Sequence, residues 1–340
     1  MSTPEGSQID TRLLAALRRV GEAGVSGVQL SEAVGVTRAA IWARVEELRR
    51  LGYEIEASPH RGYRLLNSPD LLHADDLLAR LGDTRVIGRD IRVFKETAST
   101  SDVAQKLAED GVAEGVVVFA ESQTQGRGRL GRQWLSAPGK GLWLSVLLRP
   151  ALPPQQATQL TVAAAVALAR AVEAQTGLKP DIKWPNDLLL GGRKVAGILT
   201  EMNAELERVH SLILGMGLNV NQTAAEFPAA LRGTVTSLRL AGGAPVDRPA
   251  MAAQLLRELD ADYARICGGL FRTVAEEWER RCATLGQRVA IHCGGRRLSG
   301  RVEALDAEGA LLLRTDHGHL ERIIGGDVTV EKQPALAAAL

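Results

Sequence analysis

Cysteine and aromatic residues are scarce in this chain of 340 residues, and aromatic side chains make up only 4% of it. The three cysteines, Cys267, Cys282 and Cys293, are odd in number and lack the close spacing of a metal site. We therefore expect reduced thiols with structural roles in a cytoplasmic protein, since secreted small domains depend on paired cysteines.

The chain also lacks excess charge and long apolar runs. Its net charge is +1, so any contact with nucleic acid must come from a local basic patch. No continuous apolar run is long enough to span a bilayer, and the N-terminus has no apolar signal-peptide core. We therefore expect no membrane association. The length exceeds that of a chain with a single hydrophobic core, which predicts two or three domains.

The first segment, residues 1–66, is typical of a winged helix-turn-helix domain. An amphipathic helix is followed by a second helix that stops at Gly35 and by a third that Thr37 caps. Two short strands, Tyr53–Ile55 and Gly62–Leu66, would add a wing, which also carries His60 and Arg64. The positions that we expect to contact DNA are Thr37, Arg38, Ala39, Trp42, Arg44 and Arg61. Docking or dimerisation without DNA is the alternative for such a domain.

The second segment, residues 67–285, mixes strands and helices and begins with a linker at Asn67–Asp70. Its helix Gln155–Thr176 is rich in alanine and valine, which favours close packing beneath a sheet. The strands expected are Val116–Ala120, Leu142–Leu148, Ile182–Trp184, Val195–Met202 and Ser211–Gly215, and the further helices are Asp102–Asp110 and Pro249–Gly268. The pattern predicts an α/β or α+β domain.

Four polar segments interrupt this apolar pattern, and we interpret them as loops that form one site. They are Thr97–Ser101, the Gly/Arg loop Gln125–Trp134, the segment Lys183–Asp187 with Arg193-Lys194 after it, and Gly215–Asn219. The Gly/Arg loop has three glycines and three arginines within residues 126–132. Glycine allows close backbone approach and arginine offers forked donors, so a ligand with phosphate or carboxylate groups is indicated.

Lys183 and Asp187 have two possible interpretations. They could form an ordinary surface ion pair, or they could belong to a rigid loop that positions a polyanion, with Asp187 assisting a divalent cation. No histidine falls in the four segments, so a histidine base or a protein nucleophile is not indicated. Transfer of a nucleotide onto a carboxylate fits this pattern, because the carboxylate is already a nucleophile.

The motifs GRGRLGRQW (126–134), KWPND (183–187), RKVAGIL (193–199) and GMGLN (215–219) resemble those of biotin–protein ligases, in the same order and spacing. The resemblance extends over essentially the whole chain. With its winged helix, the chain looks like the bifunctional subgroup that also represses biotin synthesis genes. Such enzymes form biotinyl-5′-adenylate from biotin and ATP and transfer biotin to a lysine of a biotin carboxyl carrier protein.

The resemblance implies a role for each motif residue. Biotin and its adenylate would be bound by Ser99, Thr100, Ser101, Gln123, Gly126, Arg127, Gly128, Arg129, Lys194, Gly215 and Gly217. The nucleotide would be bound by Lys183, Asn186 and Asn219, Mg²⁺ by Asp187, and the catalytic charges would come from Lys183, Arg127 and Arg129. Leu130 and Ser101 depart from the family pattern, which has a basic residue and asparagine there. The Gly/Arg loop should become ordered on ligand and promote a homodimer that binds operator DNA.

The third segment, residues 286–333, alternates apolar and polar residues, as in short strands, and is followed by a tail at 334–340. The fold class expected is therefore α+β with three parts: a winged helix, a mixed ligase domain related to class II synthetases, and an SH3-like barrel. Two other functions stay open at this point. One is a biotin sensor without ligase activity, and the other is a ligase for a related carboxylic cofactor such as lipoate.

Overall fold

A computed structural model describes residues 4–293 and 295–330 of the chain. The tail at 334–340 lies outside the described residues. All three cysteines are free thiols, as the sequence predicts.

The first domain is a winged helix-turn-helix, which confirms the prediction. Its elements are α1 (Pro4–Val20), α2 (Gly27–Val34), α3 (Arg38–Arg50), β1 (Glu54–Ser58) and β2 (Gly62–Asn67). Thr37 caps α3, because its side chain accepts a hydrogen bond from the amide of Ala40 at 3.2 Å. The strands β1 and β2 pair in antiparallel fashion and form the wing, with Arg61 exposed in the turn between them.

The second domain is built on a seven-stranded sheet. Its elements are α4 (Ala74–Leu81), β3 (Asp90–Phe94), α5 (Thr100–Glu109), β4 (Val116–Ala120), β5 (Gly141–Leu148), α6 (Thr158–Thr176), β6 (Asp181–Lys183), β7 (Asp187–Leu190), β8 (Arg193–Ala204), β9 (Val209–Asn219), α7 (Leu238–Gly242), α8 (Arg248–Cys267) and α9 (Phe271–Arg281). The strand order is β3-β4-β5-β9-β8-β7-β6, and only the β3–β4 pair is parallel. The sequence did not predict α4, α7, α9, β3 or β7.

Helices cover both faces of this sheet. The alanine-rich α6 packs against α8, α9 and the strands, as expected, and its three valines and six of its seven alanines are buried. On the other face, α5 covers a small apolar cluster that contains Ala104, Val118 and Ile213. The segment Pro154–Thr176 is long and apolar enough to cross a membrane, but 67% of its apolar 18-residue window is buried inside the molecule. Its place in the protein core explains its apolar character.

Gly215–Asn219 was expected as a loop, and this expectation was wrong. These residues are the last five of β9, which pairs with β5 on one side and with β8 on the other. Pairing on both sides binds the backbone into the sheet, and the glycines therefore leave space above the strand instead of forming a turn. Lys183–Asp187 is the turn of the β6–β7 hairpin, in which Lys183 and Asp187 are partners in register.

The third domain is a five-stranded antiparallel sheet, in agreement with the SH3-like prediction. Its strands are β10 (Arg288–Cys293), β11 (Arg296–Leu305), β12 (Leu311–Thr315), β13 (Leu320–Ile323) and β14 (Asp327–Val330), in the order β13-β12-β11-β10-β14. Val289, Leu311 and Val328 belong to the same apolar core as the central domain. The two domains therefore pack as one continuous hydrophobic unit, and β14 reaches the site described next.

Candidate active site

A cavity of about 440 Å³ lies between the central sheet, the Gly/Arg loop and β14. Fourteen of the predicted site residues line it: Ser99, Thr100, Ser101, Gln123, Arg127, Gly128, Arg129, Lys183, Asn186, Asp187, Lys194, Gly215, Gly217 and Asn219. Gly126 is not in the lining, but its carbonyl accepts a hydrogen bond from the amide of Trp134 at 2.8 Å and closes the loop. The fold thus brings the four polar segments together.

One end of the cavity is rich in hydroxyl groups. The side-chain oxygen of Gln123 accepts hydrogen bonds from the amide of Thr100 at 2.8 Å and from its hydroxyl at 3.1 Å. The hydroxyl of Ser145 lies 2.8 Å from that of Thr100 and 3.1 Å from that of Ser101. These hydroxyls can each donate or accept, so this end suits a neutral polar group with both donors and acceptors. Ser99 caps α5 through the amide of Ser101.

Ser145 was missed by the sequence analysis. It is fully buried in the otherwise apolar strand Gly141–Leu148. A single hydroxyl in a buried strand needs a partner, and this was the signal that could have identified it.

The glycines of β8 and β9 make room for an aromatic side chain. A Cβ atom on Gly217 would lie 2.5 Å from the ring of Trp134, and one on Gly197 would lie 3.0 Å from it. Trp134 also meets Trp143 edge to face, with ring centroids 6.2 Å apart. Gly215 faces the hydroxyl end, since a Cβ there would lie 3.1 Å from the hydroxyl of Ser101. The glycine spacing therefore shapes the cavity floor.

The other end of the cavity carries positive charge. The Nζ atom of Lys194 lies 2.7 Å from Oδ1 of Asp187 and 5.3 Å from the Trp134 ring centroid. Lys183 is half-buried in the lining and has no ion-pair partner among the described residues. This end is therefore suited to a polyanion, which Lys183 is free to bind.

Asn186 and Asn219 hold the backbone around the cavity. Asn186 donates a side-chain hydrogen bond to the carbonyl of Ile198 at 2.8 Å, which fastens the β6–β7 hairpin to β8. The buried Asn219 donates to the carbonyl of Thr236 at 3.0 Å and accepts from Gln222 at 3.1 Å. Both amides thus have protein partners at the edge of the site.

The Gly/Arg loop forms a short hairpin of its own. Arg127 and Gln133 pair across it, and the amide of Gly128 donates to the carbonyl of Arg132 at 2.7 Å. At its tip, Leu130 has a φ of 57°, in the left-handed region that glycine, and less often asparagine or aspartate, adopts with little strain. Leu130 is 73% exposed and points away from the cavity.

Arg127 and Arg129 of this loop have carboxylate or carbonyl partners in this structure. Arg127 donates to Asp102 at 2.5 Å and to Glu201 at 3.3 Å. Partial burial by itself would lower the pKa of Arg127, but these two carboxylates outweigh it and raise the pKa. Arg129 donates to Asn186 and to the carbonyl of Gly326, both at 3.3 Å, and burial lowers its pKa.

The third domain closes one side of the cavity, which the sequence did not predict. Asp327, Val328 and Thr329 line it, and Asp327 forms an ion pair with Arg132 of the Gly/Arg loop. The strand that contributes these residues, β14, was not recognised, because four residues give too short a pattern.

Comparison with known proteins identifies the family. A model of the biotin/lipoate A/B protein ligase family matches residues 93–219, a helix-turn-helix domain matches 11–64, and the biotin protein ligase C-terminal domain matches 284–330. The bifunctional ligase/repressor BirA of Bacillus subtilis is 38% identical over 316 residues, which cover 93% of this chain and 97% of that protein. This chain belongs to the biotin protein ligase family.

More distant biotin protein ligases agree with this assignment. The bifunctional ligase/repressor BirA of Escherichia coli is 31% identical over 306 residues, or 90% of this chain and 92% of that protein. The solved structure of the biotin protein ligase of Aquifex aeolicus, in complex with biotin and ATP, matches this fold with a TM-score of 0.62 and 29% sequence identity. The match covers 72% of this chain and 100% of the Aquifex aeolicus chain. The resemblance inferred from the sequence motifs is confirmed.

The helix-turn-helix of this biotin protein ligase presents part of the predicted DNA-contacting set. Thr37, Arg38, Ala39 and Trp42 are exposed at the start and outer face of α3, and Trp42 is 59% exposed. Arg44 instead binds the buried carboxylate of Asp10 in α1, and also Glu47. The wing residue Arg64 donates to Glu56 at 2.8 Å. The contact between Arg44 and Asp10 therefore fixes α3 on α1.

Proposed function

We propose that this chain joins biotin and ATP into biotinyl-5′-adenylate and then transfers biotin to a lysine of a biotin carboxyl carrier protein. The observation that carries the proposal is a single cavity with a hydroxyl-rich end and a cationic end, beneath one Gly/Arg loop. Such a cavity can hold the two substrates side by side. Holding two reactants in one geometry accounts for much of the rate of a transfer reaction.

The hydroxyl-rich end is assigned to the head group of biotin. Its ureido ring offers two N–H donors and one carbonyl acceptor, which Thr100, Ser101 and Ser145 can match with Gln123. Ser99 holds the start of α5 in place beneath them. The floor made by Gly215, Gly217 and Trp134 would then support the ring and the valeryl chain.

The cationic end is assigned to ATP. Lys183 would bind its phosphates, while Asn186 and Asn219 would border the nucleotide. Lys194 would bind the acyl-phosphate, and Arg127 and Arg129 would turn from their present partners to the ligand as the loop closes. Gly126 and Gly128 allow the loop backbone to approach the ligand.

A magnesium ion fits this end if the nucleotide supplies most of its ligands. Among the described residues no group of three His, Cys, Asp or Glu side chains could hold a metal by itself. Mg²⁺ is commonly bound by one or two carboxylates together with substrate phosphates, and Asp187 supplies such a carboxylate in the lining. The ion would offset phosphate charge, and Asp187 would orient it.

Two displacements make up the proposed reaction. The biotin carboxylate attacks the α-phosphorus of ATP, the bond to the bridging oxygen breaks, and pyrophosphate leaves with the electron pair. The amine of the carrier lysine then attacks the acyl carbon, loses a proton and releases AMP. The protein needs no nucleophile for either step, so Lys183, Arg127 and Arg129 act by stabilising negative charge.

Biotin is favoured over lipoate because the C-terminal domain matches that of biotin protein ligases, and the solved Aquifex aeolicus protein that covers 72% of this chain is a biotin protein ligase in complex with biotin and ATP. A sensor without ligase activity would not need a free cation at the nucleotide end, where Lys183 stands. Native mass spectrometry after incubation with biotin and Mg-ATP tests the proposal. The chain should retain biotinyl-adenylate, and Lys183→Ala should retain little. Retention of biotin alone by the unaltered chain would refute adenylation.

Repression of biotin genes is proposed as a second activity of this chain. Arg38, Trp42 and Arg61 are exposed where a winged helix meets the major groove and the phosphate backbone. Two chains would bind a two-fold operator as a homodimer that forms in the cytoplasm when the adenylate is bound. A gel-shift series with and without biotin and Mg-ATP tests this activity, and equal operator affinity in both conditions would overturn the ligand dependence.

A further inference from the structure

Arg248 is a buried cation outside the cavity, and its side chain is 1% exposed. Its Nη1 donates to Oε2 of Glu121 at 2.7 Å and to the carbonyl of Gly141 at 3.3 Å. Its Nε and Nη2 donate to Asp70, at 2.9 Å to the carboxylate and at 2.7 Å to the carbonyl. The guanidinium therefore joins three separate segments of the chain.

Two of those segments are the stems of the loop that covers the cavity. Glu121 directly follows β4, and Gly141 begins β5. The amide of Gly139 donates to the carbonyl of Glu121 at 3.1 Å and closes the base of the loop. The chain between these stems includes Gln123 and the Gly/Arg loop. It leaves the sheet at Glu121 and returns to it at Gly141, and Arg248 contacts both residues.

The third segment is the linker from the DNA-binding domain. Besides the contact of Asp70 with Arg248, the backbone amide of Leu72, two residues after the linker, donates to Oε1 of Glu121 at 2.8 Å. Asn221 also connects the linker with the loop stem at Lys140. Its side chain donates to the carboxylate of Asp70 at 3.2 Å, and its backbone amide donates to the carbonyl of Lys140 at 2.7 Å. The linker and both loop stems thus share one polar cluster around the buried guanidinium of Arg248, in which the side chain of Asp70 is itself 47% exposed.

Apolar side chains could fill this space with equal or greater stability, because burying ions costs desolvation energy. What apolar groups cannot do is fix the direction of three backbones. Arginine has five donors in a rigid plane, and here they reach two carboxylates and two carbonyls. The cluster therefore determines geometry more than stability.

We propose that Arg248 is a positioning residue for the ligase reaction. Its side chain holds the stems of the Gly/Arg loop so that the loop can close over biotin. Through Asp70 it ties that closure to the position of the linker. The proposal rests on the proposed function for its kinetic consequences. Its structural consequence, a loop base that loosens when the cluster is broken, holds whatever the ligand is.

The test compares Arg248→Lys with Arg170→Lys. Arg170 is a matched control, since it also binds several carboxylates, Glu258, Asp262 and Glu277, but lies in the helix layer away from the loop. Lysine keeps the charge and loses the planar fork. We expect both variants to lower the melting temperature, and only Arg248→Lys to raise KM for biotin, by about tenfold, with kcat within about twofold.

Limited trypsin digestion supplies a readout that does not depend on activity. The Gly/Arg loop offers three arginines to trypsin, so looser stems should speed cleavage between residues 127 and 132 in Arg248→Lys without ligand. Asp70→Asn should show the same change more weakly. Equal cleavage rates and equal KM values in the Arg248 and Arg170 variants would overturn the positioning role. An unaltered chain that forms no adenylate would refute the proposed function, and the cleavage comparison would still decide this proposal.

Discussion

Lys194 forms an ion pair with Asp187 in the lining of the cavity, with Nζ 2.7 Å from Oδ1. The same ammonium lies 5.3 Å from the ring centroid of Trp134. Lys194 therefore links the carboxylate assigned to Mg²⁺ with the aromatic floor next to the biotin end. A ligand that spans both ends must pass this side chain.

Replacement of Lys194 by glutamine should shorten the lifetime of the bound adenylate. The variant loses a charge-assisted hydrogen bond to the acyl-phosphate, and we expect dissociation to be faster by about tenfold or more. Stopped-flow dissociation of labelled biotinyl-adenylate measures this rate. Arg193→Gln, at the adjacent residue, serves as the control and should leave it unchanged. Equal rates in both variants would remove Lys194 from the ligand site.

Gly217→Ala should impair ligand binding, because its Cβ atom would lie 2.5 Å from the ring of Trp134. The indole must shift, and overpacking of this kind destabilises proteins by about 1–3 kcal/mol. Titration calorimetry should show weaker binding of biotin. Gly233→Ala is the control, since nothing lies within 4 Å of a Cβ there. Unchanged affinity in Gly217→Ala would contradict the assigned floor.

Leu130→Asn should stabilise the fold. Leu130 has a φ of 57° and is 73% exposed, so it is strained and contributes little packing. Asparagine tolerates this conformation, which costs other residues about 1–2 kcal/mol. Urea unfolding should show a gain of up to about 1 kcal/mol. Leu206→Asn, at a residue that is 93% exposed, should be neutral. A loss of stability in Leu130→Asn would contradict the strain.

The third domain should lose stability in acid through Asp306. Burial by itself would raise the pKa of this carboxyl, but hydrogen bonds from Arg322 and from the amides of Ala310 and Glu308 outweigh it and lower the pKa. The stabilisation is therefore present above the unfolded-state pKa and is lost as the pH falls through the lower folded-state value.

Asp306→Asn tests this linkage. The variant should be less stable than the unaltered chain at neutral pH, and the two should converge in acid. Urea unfolding at several pH values measures the difference. Asp83→Asn, at an exposed residue, should give a curve parallel to that of the unaltered chain. The prediction fails if the difference in the free energy of unfolding between Asp306→Asn and the unaltered chain is the same at every pH. The carboxyl would then not stabilise the domain through its charge.

The sequence predicted the parts of the site that are local. The cap at Thr37 depends on a residue three positions away, and the buried strand Val116–Ala120 depends on its own apolar run. The membership of Lys183 and Lys194 in one cavity came from the family motifs. Local pattern and motif order were therefore sufficient for the fold class and for most of the lining.

The remaining features depend on contacts between distant segments. Gly215–Asn219 looked like a loop because glycine disfavours strands, but pairing with β5 and β8 outweighs that preference. Arg44 looked free for DNA, and only the packing of α1 shows its partner Asp10. Asp327 is 195 residues from Arg132, so no sequence window could join them.

Transfer of labelled biotin to a carrier domain is the most direct test of the central claim, that this cavity makes and uses biotinyl-adenylate. The purified chain, Mg-ATP, labelled biotin and a biotin carrier domain should yield label on the carrier lysine. Lys183→Ala should reduce the rate by about a hundredfold or more, as for loss of a group that stabilises transition-state charge. No transfer by the unaltered chain, or equal transfer by Lys183→Ala, would contradict the account.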